Sequence, residues 1–310
     1  MNDLKPLNQT KLFGLEKFIL ELIRLYENDL LPNKILLSGE KGIGKSTLSF
    51  HFINYVLSKN EEFKYDINEF EIDSENRSFK TTINKSNPNL TIIDVDSEKK
   101  KIDIKQIRDL ISNLNKSSFN DQPRFVLIDN IELLNTNSIN ALLKVLEEPN
   151  FNIYFILINN NKKILPTLLS RCINFKIYLT HKENLNVVKK LLGKELDKLI
   201  NKDLINYYQT PGYFYNLLVF ARINNYELLD FSLKDFLKRI IVDNQYKNDD
   251  SFKNIIFELV EFYLSKINKS LSPQIYDNYS YFLKKISDTK KFNLDEESLF
   301  NEFNDKILNV

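Results

Sequence analysis

The sequence is poor in the residues that build disulfides, metal sites and tight turns. Its 310 residues include one cysteine, two histidines, no tryptophan and six glycines. A single thiol, Cys172, excludes an internal disulfide framework and any zinc site that needs two thiolates. The two histidines, His51 and His181, are too few for a histidine-rich metal centre.

The sequence also lacks long hydrophobic runs and a strong net charge. Apolar runs such as Ile153–Ile158 are far shorter than the roughly 20 residues that a membrane helix needs, and the first residues contain no apolar signal core. We therefore expect a cytoplasmic chain with no membrane partner. The 43 Lys and Arg residues are balanced by 42 Asp and Glu residues, so the net charge is too small to attract nucleic acid by itself.

The apolar content is sufficient for folded domains, with 43% hydrophobic and 27% charged residues. At about 100–200 residues per domain, the length predicts two or three domains. Asn and Lys are so abundant that scattered examples carry little information, whereas glycine is rare. Three of the six glycines fall between residues 39 and 44, which makes that segment informative.

Short apolar runs alternate with helical patterns up to about Leu179. Strands are predicted at 34–38, 90–95, 124–128, 153–158 and 173–177. Helices are predicted at 11–29, 45–58, 104–114, 136–148 and 165–169. The fourth helix is expected to be capped by Thr136 or Asn137 and ended by Pro149, and the polar stretch 59–88 is interpreted as an excursion from the core. The alternation predicts an α/β fold with a five-stranded parallel sheet covered on both faces.

Only helical patterns follow Leu179. A small helical unit is predicted at 183–226, and four more helices are predicted at 231–243, 251–267, 273–287 and 295–308. The chain is therefore divided into domains at 1–179, 180–227 and 228–310. Because its helices are rich in large apolar residues, the last domain is expected to carry the main oligomerisation surface.

The segment from Gly39 to Ser46, Gly-Glu-Lys-Gly-Ile-Gly-Lys-Ser, fits the phosphate-loop pattern G-x-x-x-x-G-K-[ST] between a predicted strand and a predicted helix. Its glycines let the backbone direct N–H groups at phosphate oxygens, and the helix N-terminus adds partial positive charge. Lys45 can reach the β- and γ-phosphates, and the Ser46 hydroxyl can bind Mg²⁺. The pattern predicts a site for ATP or ADP with Mg²⁺.

The strand at 124–128 ends in Asp129, a carboxylate placed to meet that Mg²⁺. The next position, an acid in hydrolysing sites, is Asn130, and an amide cannot accept a proton as a carboxylate does. Glu132 is two positions further on and is expected to point elsewhere. The predicted nucleotide-binding residues are Gly39, Gly42, Gly44, Lys45, Ser46, Thr47 and Asp129, with Ser46 and Asp129 on the metal.

Five segments carry a family resemblance: 39–46, 102–108, 125–130, 140–149 and 164–172. Together they resemble the clamp-loader branch of the AAA+ ATPases, and within it the family of bacterial DNA polymerase III delta prime subunits. The resemblance implies an AAA+ core followed by a helical lid and a helical collar. It also implies a ring with gamma/tau and delta subunits that loads a sliding clamp onto primed DNA, as part of the DNA polymerase III holoenzyme.

The segment Ser170-Arg171-Cys172 matches the arginine-finger motif of that family. By resemblance, Arg171 would be catalytic in trans, at the γ-phosphate of a neighbouring subunit. A guanidinium suits this role because it is always charged and forks onto phosphate oxygens. The alternative is a cation that satisfies the last carbonyls of a helix. Cys172 is expected to be a buried small residue rather than a nucleophile.

The sequence departs from the ATP-hydrolysing relatives at three places. Residues 59–88 contain no cysteine, which excludes the zinc module of some relatives. Asn130 replaces the catalytic acid, as in delta prime subunits, and Tyr213 takes the position of a second phosphate-sensing arginine. A polar sensor is expected within Asn159–Asn161, without a choice among them. These departures favour a non-catalytic or weakly catalytic subunit.

Two other functions are weighed against this one. An active AAA+ ATPase, such as the gamma/tau motor, would need an acid beside Asp129. A small-molecule kinase would need lid arginines, and the helical regions contain few. The lysines at 99–101 are interpreted as a solvated surface run rather than as a DNA contact.

Overall fold

A computed structural model of the chain describes residues 5–96, 99, 101–116, 120–148, 152–206, 208–248, 250–267, 273–292 and 294–309. The chain forms two compact units, Met1–Glu183 and Asn184–Val310. Two of the sequence-based predictions, at Lys100 and Pro149, lie outside the described residues. Among the described residues, no helix has both the length and the apolar character needed to span a membrane.

The first unit is built on a five-stranded sheet in the order β2-β3-β4-β1-β5, with every pair parallel. The strands are β1 Lys34–Ser38, β2 Leu90–Ile93, β3 Arg124–Ile128, β4 Ile153–Asn159 and β5 Ile173–Lys176. All five predicted strands are present, within two residues at each end. The expected parallel α/β core, followed by a helical region, is confirmed.

Both faces of the sheet are covered by helices. Along β1, the buried side chains of Ile35 and Leu37 join one hydrophobic cluster, and that of Leu36 joins the cluster on the other face. Strands β3 and β4 divide their buried residues between the two clusters in the same alternating way. Successive side chains of a strand point to opposite faces, so continuous apolar runs are what a doubly covered sheet requires.

In the described part of this unit, seven helices precede, connect or follow the strands. They are α1 Glu16–Glu27, α2 Lys45–Leu57, α3 Arg77–Ile83, α4 Ile104–Leu114, α5 Thr136–Glu147, α6 Pro166–Leu169 and α7 His181–Leu192, of which α7 continues into the second unit. The polar stretch 59–88 therefore contains a helix that the sequence pattern did not predict. Helix α3 begins after the buried Asn76, whose side chain accepts a hydrogen bond from the N–H of Phe79 at 2.8 Å.

The predicted N-cap of α5, at Thr136 or Asn137, is wrong. Asn135 is the N-cap, and its Oδ1 accepts a hydrogen bond from the N–H of Ser138 at 2.8 Å. All three residues can cap a helix. A tertiary contact accompanies the observed choice, because the Asn135 amide and the Ser138 hydroxyl both donate to the carbonyl of Ile102.

The second unit is helical. Its helices are α8 Pro211–Ile223, α9 Leu233–Asp243, α10 Asp250–Ile267, α11 Pro273–Phe292 and α12 Glu296–Phe303, with short 3-10 turns at Leu196–Lys198, Lys202–Leu204 and Gln245–Asn248 and a π-helical turn at Asn304–Leu308. One hydrophobic cluster extends from Val188 to Leu308. The further division at 227/228 into a lid and a collar stays a prediction.

Candidate functional site

Three polar segments meet at the carboxyl ends of the strands, because β3, β4 and β1 are parallel neighbours. The phosphate loop follows β1, the segment beginning at Asp129 follows β3, and the segment beginning at Asn159 contains the last residue of β4. The carboxyl ends of parallel strands share an edge, so residues far apart in sequence come together there.

Two glycines of the loop have structural roles that a side chain would disturb. A Cβ atom at Gly39 would lie 2.2 Å from the carbonyl oxygen of Ile177. Gly44 has φ +96° and is the N-cap of α2, a conformation that costs glycine little and other residues more. Gly42 also has a positive φ. The loop thus turns directly into the helix N-terminus.

Lys45 is buried at the centre of the loop. Its Nζ donates hydrogen bonds to the carbonyl oxygens of Gly39 at 2.8 Å and Glu40 at 2.7 Å. Burial lowers the pKa of Lys45 to about 8, while the charges of Asp129 and Glu132 act in the opposite direction. A buried ammonium favours an anionic partner, and phosphate oxygens would supply one.

Ser46 and Asp129 are in direct contact, close enough for one cation to bind both. The Ser46 hydroxyl donates a hydrogen bond to Oδ2 of Asp129, and the N–H of Asn130 donates to Oδ1 at 2.8 Å. Burial raises the pKa of Asp129, and the Ser46 hydrogen bond opposes that shift. Thr47 follows Ser46 and is half-buried in the first turn of α2.

The described residues contain no group of three or more His, Cys, Asp and Glu side chains that could hold a metal ion. Mg²⁺ keeps several waters and often binds through one carboxylate and substrate phosphates. One hydroxyl and one carboxylate fit that kind of site, in which the nucleotide completes the coordination.

Asn130 belongs to a hydrogen-bonded chain of polar side chains at this edge. Its Nδ2 donates to Oδ1 of Asp94 at 2.7 Å, and its Oδ1 accepts from Nδ2 of Asn160 at 2.7 Å. The Asn160 amide also donates to Oε1 of Glu132 at 2.8 Å. The sequence did not single out Asp94, although its position directly after a strand is the signal that identified Asp129.

The structure therefore distinguishes the three asparagines after β4. Asn160 contacts the Asp129 segment, Asn159 bonds with the backbone of Lys162, and the Asn161 side chain donates to Glu40. The expectation that Glu132 points elsewhere is wrong. A 3-10 turn at Ile131–Leu133, entered through a positive φ at Asn130, returns its carboxylate to the strand ends.

Arg171 lies at the amino-terminal ends of the strands, opposite the phosphate loop. It precedes β5, whereas the phosphate loop follows β1, and these parallel neighbours pair Ile35 with Ile173 and Ser38 with Lys176. Four residues of strand at about 3.3 Å each separate the two edges by on the order of 13 Å. Arg171 is thus remote from the phosphate loop of its own chain.

The guanidinium of Arg171 bonds within its own chain. Nη1 donates to the carbonyl of Thr167 at 2.8 Å, and Nη2 forms an ion pair with Glu147. The first bond is the helix-end contact that was the alternative to a finger. The side chain remains 31% exposed, so it is partly accessible from outside the chain.

Two further predicted residues are buried. Cys172 is a buried free thiol, and burial raises its pKa to about 11, which agrees with a packing role. Tyr213 lies within the hydrophobic cluster of the second unit, where its ring packs edge-on against Phe214. A buried phenol carries no positive charge, so Tyr213 cannot bind a phosphate as an arginine at that position would.

Comparison with known proteins gives the family context. A model of the family described as DNA polymerase III, delta subunit, matches residues 14–180. The DNA polymerase III subunit gamma of Buchnera aphidicola subsp. Schizaphis graminum is 30% identical over 199 residues, which are 61% of this chain and 50% of that protein. The DNA polymerase III subunit delta' of Buchnera aphidicola subsp. Baizongia pistaciae is 33% identical over 156 residues, which are 48% of this chain and 46% of that protein.

The chain spans about half the length of these curated relatives. The crystal structure of a DNA polymerase III, gamma subunit-related protein from Thermotoga maritima aligns over 92% of this chain and 96% of that chain. Its TM-score is 0.51 and its sequence identity is 18%. That likeness shows a shared fold.

Proposed function

The chain belongs to the DNA polymerase III clamp-loader family, whose delta subunit model matches residues 14–180 of its 310, and we propose that it is a ring subunit of the delta prime type. In this proposal it hydrolyses ATP weakly or not at all and supplies Arg171 to a neighbouring ATPase site. Relatives named delta' and relatives named gamma match with similar identity, so the choice between these types depends on the site.

The nucleotide site supports binding of ATP or ADP with Mg²⁺. Its residues would be Gly39, Gly42, Gly44, Lys45, Ser46, Thr47 and Asp129. The glycine loop and the first N–H groups of α2 would bind the phosphates, and Lys45 would neutralise them. Ser46 and Asp129 would hold the cation, and no zinc is part of the proposal.

The same site argues against efficient hydrolysis. Asn130 takes the place of the acid that would polarise water, and both ends of its amide are bonded to Asp94 and Asn160. An amide in that network orients its neighbours but accepts no proton. The site would then hold nucleotide as a structural ligand.

The position of Arg171 is the observation that carries the in-trans role. An arginine at the opposite edge of the sheet from its own phosphate loop can act on a nucleotide only if another subunit presents one. Its partial exposure is compatible with that contact. A guanidinium that reaches the γ-phosphate would stabilise charge in the transition state.

The remaining assignments follow from the family. The partners would be the gamma/tau and delta subunits, the sliding clamp, and primed DNA through the assembled ring. Residues 180–227 would be the lid and 228–310 the collar that holds the ring together.

The test compares Lys45→Ala with Arg171→Ala in the reconstituted loader, with clamp-stimulated ATP turnover as the measurement. We expect Lys45→Ala to change turnover little, because this site contributes little hydrolysis. Arg171→Ala should lower it, because a finger is worth roughly 10³–10⁵ in rate at its own site; other active sites dilute this to a partial loss. Lys163→Ala, which removes an exposed cation from the same unit, is the control.

The second candidate function is an active motor of the gamma/tau type. The observation in its favour is Glu132. Its carboxylate lies at the strand ends, and its negative charge acts to raise the pKa of Lys45, which burial lowers. A large loss of turnover from Lys45→Ala, with none from Arg171→Ala, would establish this alternative.

A further inference from the structure

The Arg171 guanidinium is turned towards its own chain. Glu147 is the last residue of α5, and Arg171 follows α6 by two residues. Nη2 of Arg171 pairs with the Glu147 carboxylate, while Nη1 donates to the Thr167 carbonyl at 2.8 Å. Both terminal nitrogens, which form the fork that arginine uses on phosphate, therefore have partners within the chain.

Carboxylate and phosphate compete for this fork. Both are oxyanions that accept paired N–H bonds from arginine, so binding one in full geometry displaces the other. The Arg171 and Glu147 side chains are 31% and 55% exposed, and an exposed ion pair is weak enough to exchange. A γ-phosphate carries more charge than one carboxylate, whereas a neighbour that holds a diphosphate presents no γ-phosphate.

We propose that Glu147 is a positioning residue that holds Arg171 until a neighbouring subunit presents a nucleoside triphosphate. The proposal rests on the in-trans role of Arg171 proposed above, and it adds the regulation of that role. Glu147 then weakens the binding of a neighbour for which Arg171 must leave Glu147 and contact the γ-phosphate. It does not affect binding in which Arg171 stays paired with Glu147.

The test measures the affinity of the full chain for its ATP-hydrolysing ring neighbour, loaded with either ATPγS or ADP. We expect Glu147→Gln to tighten binding to the ATPγS-loaded neighbour by about two- to five-fold, the range expected for removal of an exposed ion pair. Binding to the ADP-loaded neighbour should stay unchanged. In the Arg171→Ala background, Glu147→Gln should have no effect with either nucleotide.

The substitution is nearly isosteric at an exposed site, and an unchanged melting temperature would verify the fold. Glu21→Gln makes the same charge change at an exposed position of α1 and should leave both affinities unaltered. An effect of Glu147→Gln that is equal with ADP, or that persists without Arg171, would overturn the proposal. So would unchanged or weaker ATPγS-dependent binding, since weaker binding would mean that Glu147 orients the finger for use.

The two proposals fail in different ways. If Arg171→Ala alters neither ATPγS-dependent affinity nor ATP turnover, the in-trans function is wrong and the role of Glu147 falls with it. If Arg171→Ala lowers both while Glu147→Gln has no effect, only the role of Glu147 is wrong.

Discussion

In the proposed function, Asn130 occupies the position of the acid that a hydrolysing site would use. Its backbone has φ +53°, which asparagine tolerates better than most residues. Its side chain joins Asp94 to Asn160. The amide thus completes a polar network beside the phosphate loop without supplying a proton acceptor.

We predict that Asn130→Glu will increase single-turnover hydrolysis of ATP bound to the purified chain by about 10²-fold or more, which is the lower range for a positioned general base. Asn130→Gln has the same length without the charge and should remain at the wild-type rate. The assay follows phosphate release with the protein in excess over ATP. Equal rates for the two variants would mean that a missing acid is not what limits this site.

At the scale of secondary structure, local sequence and tertiary packing both determine where a helix begins. Asp103 and Gln106 form a reciprocal capping box at α4, and its predicted bounds of 104–114 are confirmed. At α5 three consecutive residues can cap the helix, and Asn135 does so while also donating to Ile102. A helix start with one candidate capping residue can be predicted from sequence. Where three consecutive residues can cap, a tertiary contact determines which one does.

We predict that Asn135→Ala will lower the free energy of unfolding by about 1 kcal/mol, because the N–H of Ser138 loses its acceptor. Thr136→Ala and Asn137→Ala alter exposed residues of the first turn and should each stay within about 0.5 kcal/mol of wild type. Urea titration followed by circular dichroism measures all three variants. A larger loss at Thr136 than at Asn135 would contradict the observed cap.

At the scale of the whole molecule, the buried side chains divide at the boundary between the two units. Among the residues that the structure describes, two hydrophobic clusters lie within Met1–Glu183, and the third lies within Asn184–Val310. The third cluster includes Val188 and Phe214 as well as Phe236 and Phe300. A cut at 227/228 therefore passes through one continuous core.

We predict that a chain of residues 1–183 will unfold cooperatively and bind little of a hydrophobic dye, because its own clusters remain whole. A chain of residues 1–227 should bind more dye and aggregate sooner, because α7 and α8 lose the helices that cover them. Thermal circular dichroism and dye fluorescence provide the comparison. If residues 1–227 are as compact and soluble as residues 1–183, the helical region is two independent domains.

The sequence by itself determined the features that depend on neighbours along the chain. The phosphate loop, the strand Lys34–Ser38 and the helix Ile104–Leu114 follow from glycine spacing, apolar runs and capping residues, which act within a few residues of one another. The same local patterns place Lys45 and Ser46 at the start of a helix and Asp129 at the end of a strand, and the structure brings Ser46 and Asp129 into contact; their roles toward a nucleotide stay predictions. Helix α3 escaped prediction because its short, polar sequence has no clear period.

Only the tertiary structure decided which distant residues meet. The order β2-β3-β4-β1-β5 brings Asn160 to Asn130 and Glu132, and Arg171 pairs with Glu147 at the strand ends opposite the phosphate loop. It also brings the carbonyl of Ile177 against Gly39, where no Cβ would fit. Strand order is set by the joint burial of both faces of the sheet, a property of the whole chain that no local pattern contains.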